Sequence, residues 1–228
     1  MRPLIMFDMD GVLVEVTASY RETIKRTVEH FTGKPVTYDD IQVYKNAGGW
    51  NNDWKLSHRM AADLGTEVDY TTVVDYFQKL FIGDGTNGLI NREKWIALPG
   101  ALERLAHNFD YGVYTGRDRF EAMITLNRSA NGLRFDPILT ADDVEHGKPH
   151  PEGLLKVMAQ FPGRKIYYIG DTVDDARCAK AAGVPFIGVA SQAHSTRDTL
   201  LALFRAENAI AVLDDINQLE NFFAQSRD

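Results

Sequence analysis

The sequence has one cysteine, no long hydrophobic run and fewer basic than acidic residues. Because Cys178 is the single cysteine among 228 residues, no intrachain disulfide can form, and nothing indicates an oxidising compartment. The first apolar run, at 4–7, stops at Asp8, so it is too short for the apolar core of a signal peptide or for a membrane span. We therefore expect a soluble protein that resides in the cytoplasm.

The charge balance argues against polyanionic partners. The 25 Lys and Arg residues stand against 32 Asp and Glu residues, which gives a net charge of −7 with neutral histidines. A nucleic-acid-binding surface is normally basic, so we expect no nucleic acid and no anionic membrane as partner. A length of 228 residues fits one domain with a modest addition, and a monomer or weak homodimer is in keeping with that size.

Short apolar runs alternate with helical patterns over most of the chain. Runs that are apolar on both faces are typical of a parallel sheet covered by helices, and the alternation from about residue 99 to 225 indicates a doubly wound, Rossmann-like α/β domain. Pro137 makes one run a candidate for an edge strand or a strand entry. The predicted strands are 4–7, 111–114, 166–169, 186–189 and, more weakly, 135–139.

The segment from 14 to 92 has a different pattern, with apolar residues at helical spacing and no convincing strand. One stripe contains Ile24 and Val28, and another contains Val73 and Phe77. We therefore expect an all-helical domain inserted at 14–92, between the first strand at 1–13 and the remainder of the α/β core at 93–228.

Acidic residues follow two of the predicted strands. Asp8 and Asp10 come after the first strand, and Asp171, Asp174 and Asp175 come after the strand at 166–169. Ligands of open parallel sheets bind beyond the carboxyl ends of the strands, where these carboxylates would converge. Such a cluster repels itself unless a cation binds, and hard oxygen ligands suit Mg²⁺. The alternative is that these residues are turn formers or helix caps.

Two further segments could bind an anion. Lys148 lies between Gly147 and Pro149 in a stiffened loop, although an isolated lysine is more often a solvated surface residue. Thr115, Gly116 and Arg117 follow the strand at 111–114, and the hydroxyl and backbone N–H groups there could cradle an anion. Arg117 could pair with a second anionic group of a substrate, or simply be exposed.

In this order and at these separations, the four segments resemble the motifs of the haloacid dehalogenase superfamily of phosphohydrolases. The segments are Asp-Met-Asp-Gly-Val at 8–12, Thr115, Lys148, and Gly-Asp at 170–171 followed by Asp175. The helical insert resembles the cap of the phosphoglycolate phosphatase and β-phosphoglucomutase branch. Val-Glu-Val at 14–16 departs from the Val-Asp-Ser that is usual in that branch, which weakens the substrate assignment.

The resemblance implies a role for each motif residue. Asp8 would be the nucleophile that forms an aspartyl phosphate, and Asp10 would be the general acid and base. Mg²⁺ would be held by Asp8, Asp171 and the backbone carbonyl of Asp10, with Asp175 in support. The transferring phosphoryl oxygens would be bound by Thr115 and Lys148.

The implied activity is a phosphatase acting on a small phosphorylated metabolite of the phosphoglycolate or sugar-phosphate type. In related enzymes the loop between two cap helices contacts substrate; here it contains Gly49, Trp50, Asn51 and Asn52, although it could equally be a plain connection. A phosphomutase of the same branch would carry the same motifs. A dehalogenase would have no use for Asp10, and a catalytically silent phospho-ligand-binding module is the non-enzymatic alternative.

Overall fold

The computed structural model describes residues 1–130, 132–192 and 196–225. The chain divides into two compact units, one formed by Met1–Val14 with Trp95–Asp228 and the other by Glu15–Lys94. Within the described ranges, no helix is long and apolar enough to cross a membrane.

A six-stranded sheet forms the centre of the first unit, with strand order β5-β4-β1-β6-β7-β8 and parallel pairing between all neighbours. The predicted α/β fold is thereby confirmed, and Pro137 does lie in an edge strand. The strands are β1 (Leu4–Phe7), β2 (Val14–Glu15), β3 (Lys94–Trp95), β4 (Asp110–Tyr114), β5 (Phe135–Leu139), β6 (Ile166–Gly170), β7 (Phe186–Val189) and β8 (Ala211–Leu213).

Ten α-helices accompany these strands in the described residues. They are α1 (Glu22–Thr32), α2 (Tyr38–Ala47), α3 (Asp53–Asp63), α4 (Tyr70–Phe81), α5 (Ala101–Leu105), α6 (Arg119–Ser129), α7 (Glu152–Gln160), α8 (Val173–Ala182), α9 (Arg197–Ala206) and α10 (Leu219–Gln225). Short 3₁₀ segments are Leu89–Arg92, Ala141–Asp143 and Ile216–Gln218, and Thr17–Arg21 is a π-helical turn.

The central strands are buried on both faces, as their apolar runs predict. All four residues of β1 are completely buried, and β1 is paired on one side with β4 and on the other with β6. Side chains alternate between the two faces of a strand. In β6, the ring of Tyr167 packs against Phe109 and Phe223, whereas the ring of Tyr168 packs against Tyr114 and Phe186. Neighbouring residues of β6 therefore belong to different packing layers.

The second unit is a helical bundle of α1 to α4. Burial of Ile24 and Val28 on α1, and of Val73 and Phe77 on α4, follows the two predicted apolar stripes. One difference is the two-residue strand β2, which pairs with β3 in a separate small sheet. Two residues are too few to give a periodic signal, so the sequence did not predict this strand. The role of residues 14–92 as a cap stays a prediction.

Candidate active site

Three neighbouring strands of the sheet bring the predicted site residues to one edge. Asp8 follows β1, Thr115 follows β4 and Asp171 follows β6. The ladder continues one step past the strand ends, because the Asp8 amide donates to the Ile169 carbonyl at 2.8 Å and the Thr115 amide to the Leu139 carbonyl at 3.0 Å. The backbone of both residues is therefore fixed where their side chains leave the sheet.

Lys148 is a buried part of this site, not a surface residue. Its Nζ lies 3.0 Å from Oδ1 of Asp8 and 2.7 Å from Oδ1 of Asp175, and it donates to the hydroxyl of Tyr168 at 3.0 Å. An ammonium group has three N–H donors, and these contacts employ all of them. The lysine is thereby held directly beside the predicted nucleophile.

Burial and charge act in opposite directions on Lys148. Burial alone would lower the pKa of the ammonium group, but Asp175 and Asp8 outweigh it and raise the pKa well above the ordinary value. The lysine is therefore a fixed positive charge within the carboxylate cluster.

Asp175 supports the site and also takes part in the capping box at the start of helix α8. Its Oδ1 accepts hydrogen bonds from Lys148 and Tyr168 at 2.7 Å each, and its Oδ2 accepts from the amide and hydroxyl of Thr172 at 3.0 and 2.6 Å. Burial raises the pKa of Asp175, but Lys148 and these hydrogen bonds outweigh it, so the net shift is downward. Since the four hydrogen bonds occupy both oxygens, Asp175 is better suited to orienting Lys148 than to binding a metal directly.

The N-cap of helix α8 is not one of the aspartates that the sequence suggested as helix caps. Thr172, not Asp171 or Asp174, is the N-cap of α8, and it forms a capping box with Asp175. A Thr followed three residues later by an acidic residue is the pattern typical of such a box, and the sequence carries that signal.

Asp8, Asp171 and Asp175 each offer a carboxylate oxygen within 4.8 Å of the others. Gly11, at φ +73°, makes room for this cluster, because a Cβ at that position would lie 1.9 Å from Oδ2 of Asp171. Burial raises the pKa of Asp8 well above its usual value; nearby Asp175, Asp10 and Asp171 add to the rise, and Lys148 opposes it. A cation bound among these oxygens would favour the charged form of Asp8, so the donor set fits a hard metal ion.

Arg117 is not the exposed side chain that one of the two expectations described, and its contact with a substrate anion stays a prediction. Its side chain is buried. Its Nε donates to Oδ1 of Asp10 at 2.9 Å, its Nη2 also contacts that oxygen, and its Nη1 donates to Oγ1 of Thr125 at 2.9 Å. The sequence could not predict this, because it does not show which way a turn side chain points.

Thr115 is the other candidate for anion binding, and that role stays a prediction. The side chain is buried, and Oγ1 accepts a hydrogen bond from the Arg117 amide at 3.2 Å. Within the ranges that the structure describes, no acceptor for the Thr115 hydroxyl proton is found, so the O–H can donate to a bound anion. Gly116 lies between these two residues in the same turn.

The predicted substrate loop belongs to the helical unit. Asn52 is the N-cap of α3, since its side chain accepts from the Lys55 amide at 2.9 Å. The indole of Trp50 lies edge-on to Tyr44, Gly49 is exposed at φ +82°, and Asn51 is partly buried. A local structural role therefore accounts for Asn52, and contact of the loop with a substrate stays a prediction.

Sequence reasoning missed Tyr168 and Thr125, which complete the hydrogen-bond network. Tyr168 links Lys148 to Asp175, and Thr125 on α6 holds one end of the Arg117 guanidinium. Both are completely buried polar residues. The sequence carries no signal for Thr125, while a tyrosine inside an apolar strand at least poses the question of where its hydroxyl bonds.

The chain is similar in sequence to known hydrolases and other proteins. A family model described as haloacid dehalogenase-like hydrolase matches residues 5–189 of the chain. A Phytophthora nicotianae protein named imidazoleglycerol-phosphate dehydratase is 34% identical over 194 residues, which are 81% of this chain and 42% of that protein. The chain thus spans less than half the length of that relative.

Two other similarities cover more of the matched proteins. A phosphoglycolate phosphatase of Pseudomonas fluorescens is 26% identical, over 82% of this chain and 68% of its own length. The crystal structure of a haloacid dehalogenase-like protein of unknown function from Agrobacterium tumefaciens superposes with a TM-score of 0.76 at 21% identity, covering 100% of both chains. At that identity, the structural similarity concerns the fold.

Proposed function

The chain belongs to the haloacid dehalogenase-like hydrolase family, and on that premise we propose that it is a magnesium-dependent phosphatase of small phosphorylated metabolites. The observation that supports this most directly is the buried contact of 3.0 Å between Lys148 and Asp8, beside the carboxylate of Asp171. A carboxylate held next to a fixed cation at the carboxyl edge of a parallel sheet is suited to attack on a phosphoryl group.

In the first step, a carboxylate oxygen of Asp8 forms a bond to phosphorus as the bond to the ester oxygen breaks. The leaving oxygen takes a proton from Asp10 and departs as an alcohol. In the second step, water attacks the phosphorus of the aspartyl phosphate, gives its proton to Asp10 and releases inorganic phosphate. Both residues then return to their starting states.

Charge neutralisation supplies the remainder of the chemistry. Lys148 supplies a positive charge beside the transferring phosphoryl group, the hydroxyl of Thr115 donates to one of its oxygens, and Asp175 keeps Lys148 in place. Mg²⁺ held by Asp8, Asp171 and the Asp10 carbonyl would offset negative charge on the phosphoryl group. The donor chemistry of the carboxylates supports Mg²⁺ over softer metals.

The relatives support a proposal for the substrate class. We propose a monoester of the phosphoglycolate or sugar-phosphate type, because a phosphoglycolate phosphatase is among the relatives. The absence of nucleic-acid and membrane partners, a cytoplasmic location and a monomeric or weakly dimeric state stay predictions from composition and size.

The test is hydrolysis of p-nitrophenyl phosphate and of a metabolite panel, with added Mg²⁺ and with EDTA. We expect activity that EDTA abolishes and Mg²⁺ restores. Asp171→Asn should raise the Mg²⁺ concentration needed for half-maximal rate, whereas the control Asp198→Asn, an exposed carboxylate in the first turn of α9, should not. Full activity after complete metal removal would contradict the mechanism. Conversion of a hexose 1-phosphate to its 6-phosphate, without release of free phosphate, would instead indicate a mutase.

A further inference from the structure

The guanidinium of Arg117 donates hydrogen bonds to two parts of the first unit, the segment that follows β1 and helix α6. Nε, at 2.9 Å, and Nη2 both contact Oδ1 of Asp10, while Nη1 donates to Thr125 of α6 at 2.9 Å. The planar guanidinium offers its N–H groups in fixed directions, so contact on two sides fixes its orientation. Arg117 consequently holds the Asp10 carboxylate through its Oδ1 atom.

The backbone of Arg117 is fixed as well as its side chain. Its amide donates to Oγ1 of Thr115 at 3.2 Å, and its carbonyl accepts from the Ala141 amide at 2.8 Å. The side chain of Arg117 is 1% exposed, while that of Asp10 is 29% exposed. The arginine is therefore buried, whereas part of the Asp10 carboxylate is accessible.

The two oxygens of Asp10 have different surroundings. Oδ1 receives the guanidinium, whereas Oδ2 has no hydrogen-bond partner among the residues that the structure describes. A group that exchanges a proton with a leaving oxygen or a water must have an oxygen available to them within hydrogen-bond reach. Oδ2 is available in this sense, whereas Oδ1 is already occupied by two N–H donors of Arg117.

We propose that Arg117 is a positioning residue for Asp10: it occupies Oδ1 and orients the carboxylate so that Oδ2 exchanges protons with the ester oxygen and the attacking water. This inference rests on the proposed function. It differs from a substrate-binding role, because the guanidinium is buried against Asp10 and Thr125. Arg117 then acts on kcat through Asp10 and has little effect on substrate affinity.

The experiment compares Arg117→Met and Arg117→Lys with the wild-type protein on two aryl phosphates, p-nitrophenyl phosphate and phenyl phosphate. Phenol is the poorer leaving group and depends more on proton donation. We expect kcat/KM of Arg117→Met to fall roughly 10²-fold on phenyl phosphate and less on p-nitrophenyl phosphate, with KM nearly unchanged. Arg117→Lys keeps the positive charge but lacks the planar guanidinium, so its kcat/KM should fall less than that of Arg117→Met.

The matched control is Arg119→Met, two residues further along. Arg119 is half-exposed and pairs with Asp143 at 2.7 Å, so its loss should leave both substrates at wild-type rates. Circular dichroism and urea unfolding establish that each variant is folded. Should Arg117→Met fail to fold, Arg117→Lys and Thr125→Val are compared with the wild-type protein instead. Each disturbs the guanidinium contacts with a smaller change in volume or charge.

A double-mutant cycle with Asp10→Asn decides how Arg117 acts. If it acts through Asp10, adding Arg117→Met to Asp10→Asn should lower kcat by less than about threefold beyond the single Asp10→Asn variant. Multiplicative losses, a raised KM as the main effect, or wild-type kinetics in Arg117→Met would each overturn the positioning role while leaving the phosphatase assignment intact. A wild-type protein that hydrolyses neither aryl phosphate would refute the proposed function, and the positioning role with it.

Discussion

Replacement of Tyr168 by phenylalanine tests the buried network around Lys148. The substitution keeps the ring, which packs on Tyr114 and Phe186, and removes only the hydroxyl. That hydroxyl accepts from Lys148 at 3.0 Å and donates to Asp175 at 2.7 Å. Burial, with Asp175 and Asp8, raises the pKa of Tyr168 well above its usual value, so the phenol is neutral and the O–H is available as a donor.

The magnitude follows from the two charged partners. A hydrogen bond to a charged group contributes about 1.5–3 kcal/mol, and a buried group left without its partner loses its desolvation free energy as well. Lys148 and Asp175 still contact each other at 2.7 Å, so part of the loss is offset. We therefore expect the free energy of unfolding of Tyr168→Phe to fall by about 2–4 kcal/mol.

The assay is urea unfolding at neutral pH, and the matched control is Tyr167→Phe on the same strand. Tyr167 faces the opposite layer, and its hydroxyl makes no hydrogen bond within the described part of the chain. The control should change the free energy of unfolding by no more than about 0.5 kcal/mol. Because Asp8 and Asp175 still hold Lys148, kcat of Tyr168→Phe should fall by less than about tenfold, equivalent to 1.4 kcal/mol. Equal unfolding midpoints for Tyr168→Phe and Tyr167→Phe would refute this account of the network.

Two further predictions concern Asp10, the proposed acid–base group, and Glu152, the first residue of helix α7. Asp10→Asn should lower kcat about 10²–10⁴-fold with little change in Mg²⁺ affinity, and beryllofluoride should still form an acyl-phosphate mimic on Asp8; a near-normal kcat would refute the role of Asp10. Hydrogen bonds from Lys156 and from the amides of residues 145 and 146 lower the pKa of Glu152 to about 2, which an NMR titration should detect. Since the folded-state pKa is the lower one, the stability from this carboxylate is present above its ordinary pKa of 4.5 and is lost as pH falls towards 2. An NMR pKa near 4.5 would contradict those contacts.

The parts of the site that the sequence predicts are those attached to strand ends. An apolar run fixes where a strand lies, and the parallel order then brings whatever follows each strand to the same edge. This reasoning predicted that Asp8 and Asp171 would converge, and the structure brings their carboxylates together. Because it depends on backbone topology, it needs no knowledge of side-chain direction.

The contacts that orient those residues are less accessible to sequence reasoning. Lys148 and Asp175 are separated by 27 residues, and Asp10 and Arg117 by 107, so no local periodicity connects either pair. The sequence suggested a substrate anion or solvent as the surroundings of Arg117, and it did not suggest the contacts with Asp10 and Thr125 that the structure shows. The sequence does show Asp10 two residues after Asp8. Its pairing with the buried Arg117, however, depends on the direction in which the turn after β4 points the Arg117 side chain.

The net charge of the site residues favours binding of a divalent cation. The named ionic groups are the carboxylates of Asp8, Asp10, Asp171 and Asp175 with the cations of Lys148 and Arg117. Within this set, carboxylates outnumber cations by two, or by one when Asp10 carries the proton that it donates, and burial makes that excess costly. A divalent ion carries the opposite charge, and it would favour the charged form of Asp8, whose pKa burial otherwise raises. The same ion that neutralises the set would therefore prepare the nucleophile, which is why loss of the Asp171 carboxylate should weaken metal binding and turnover together.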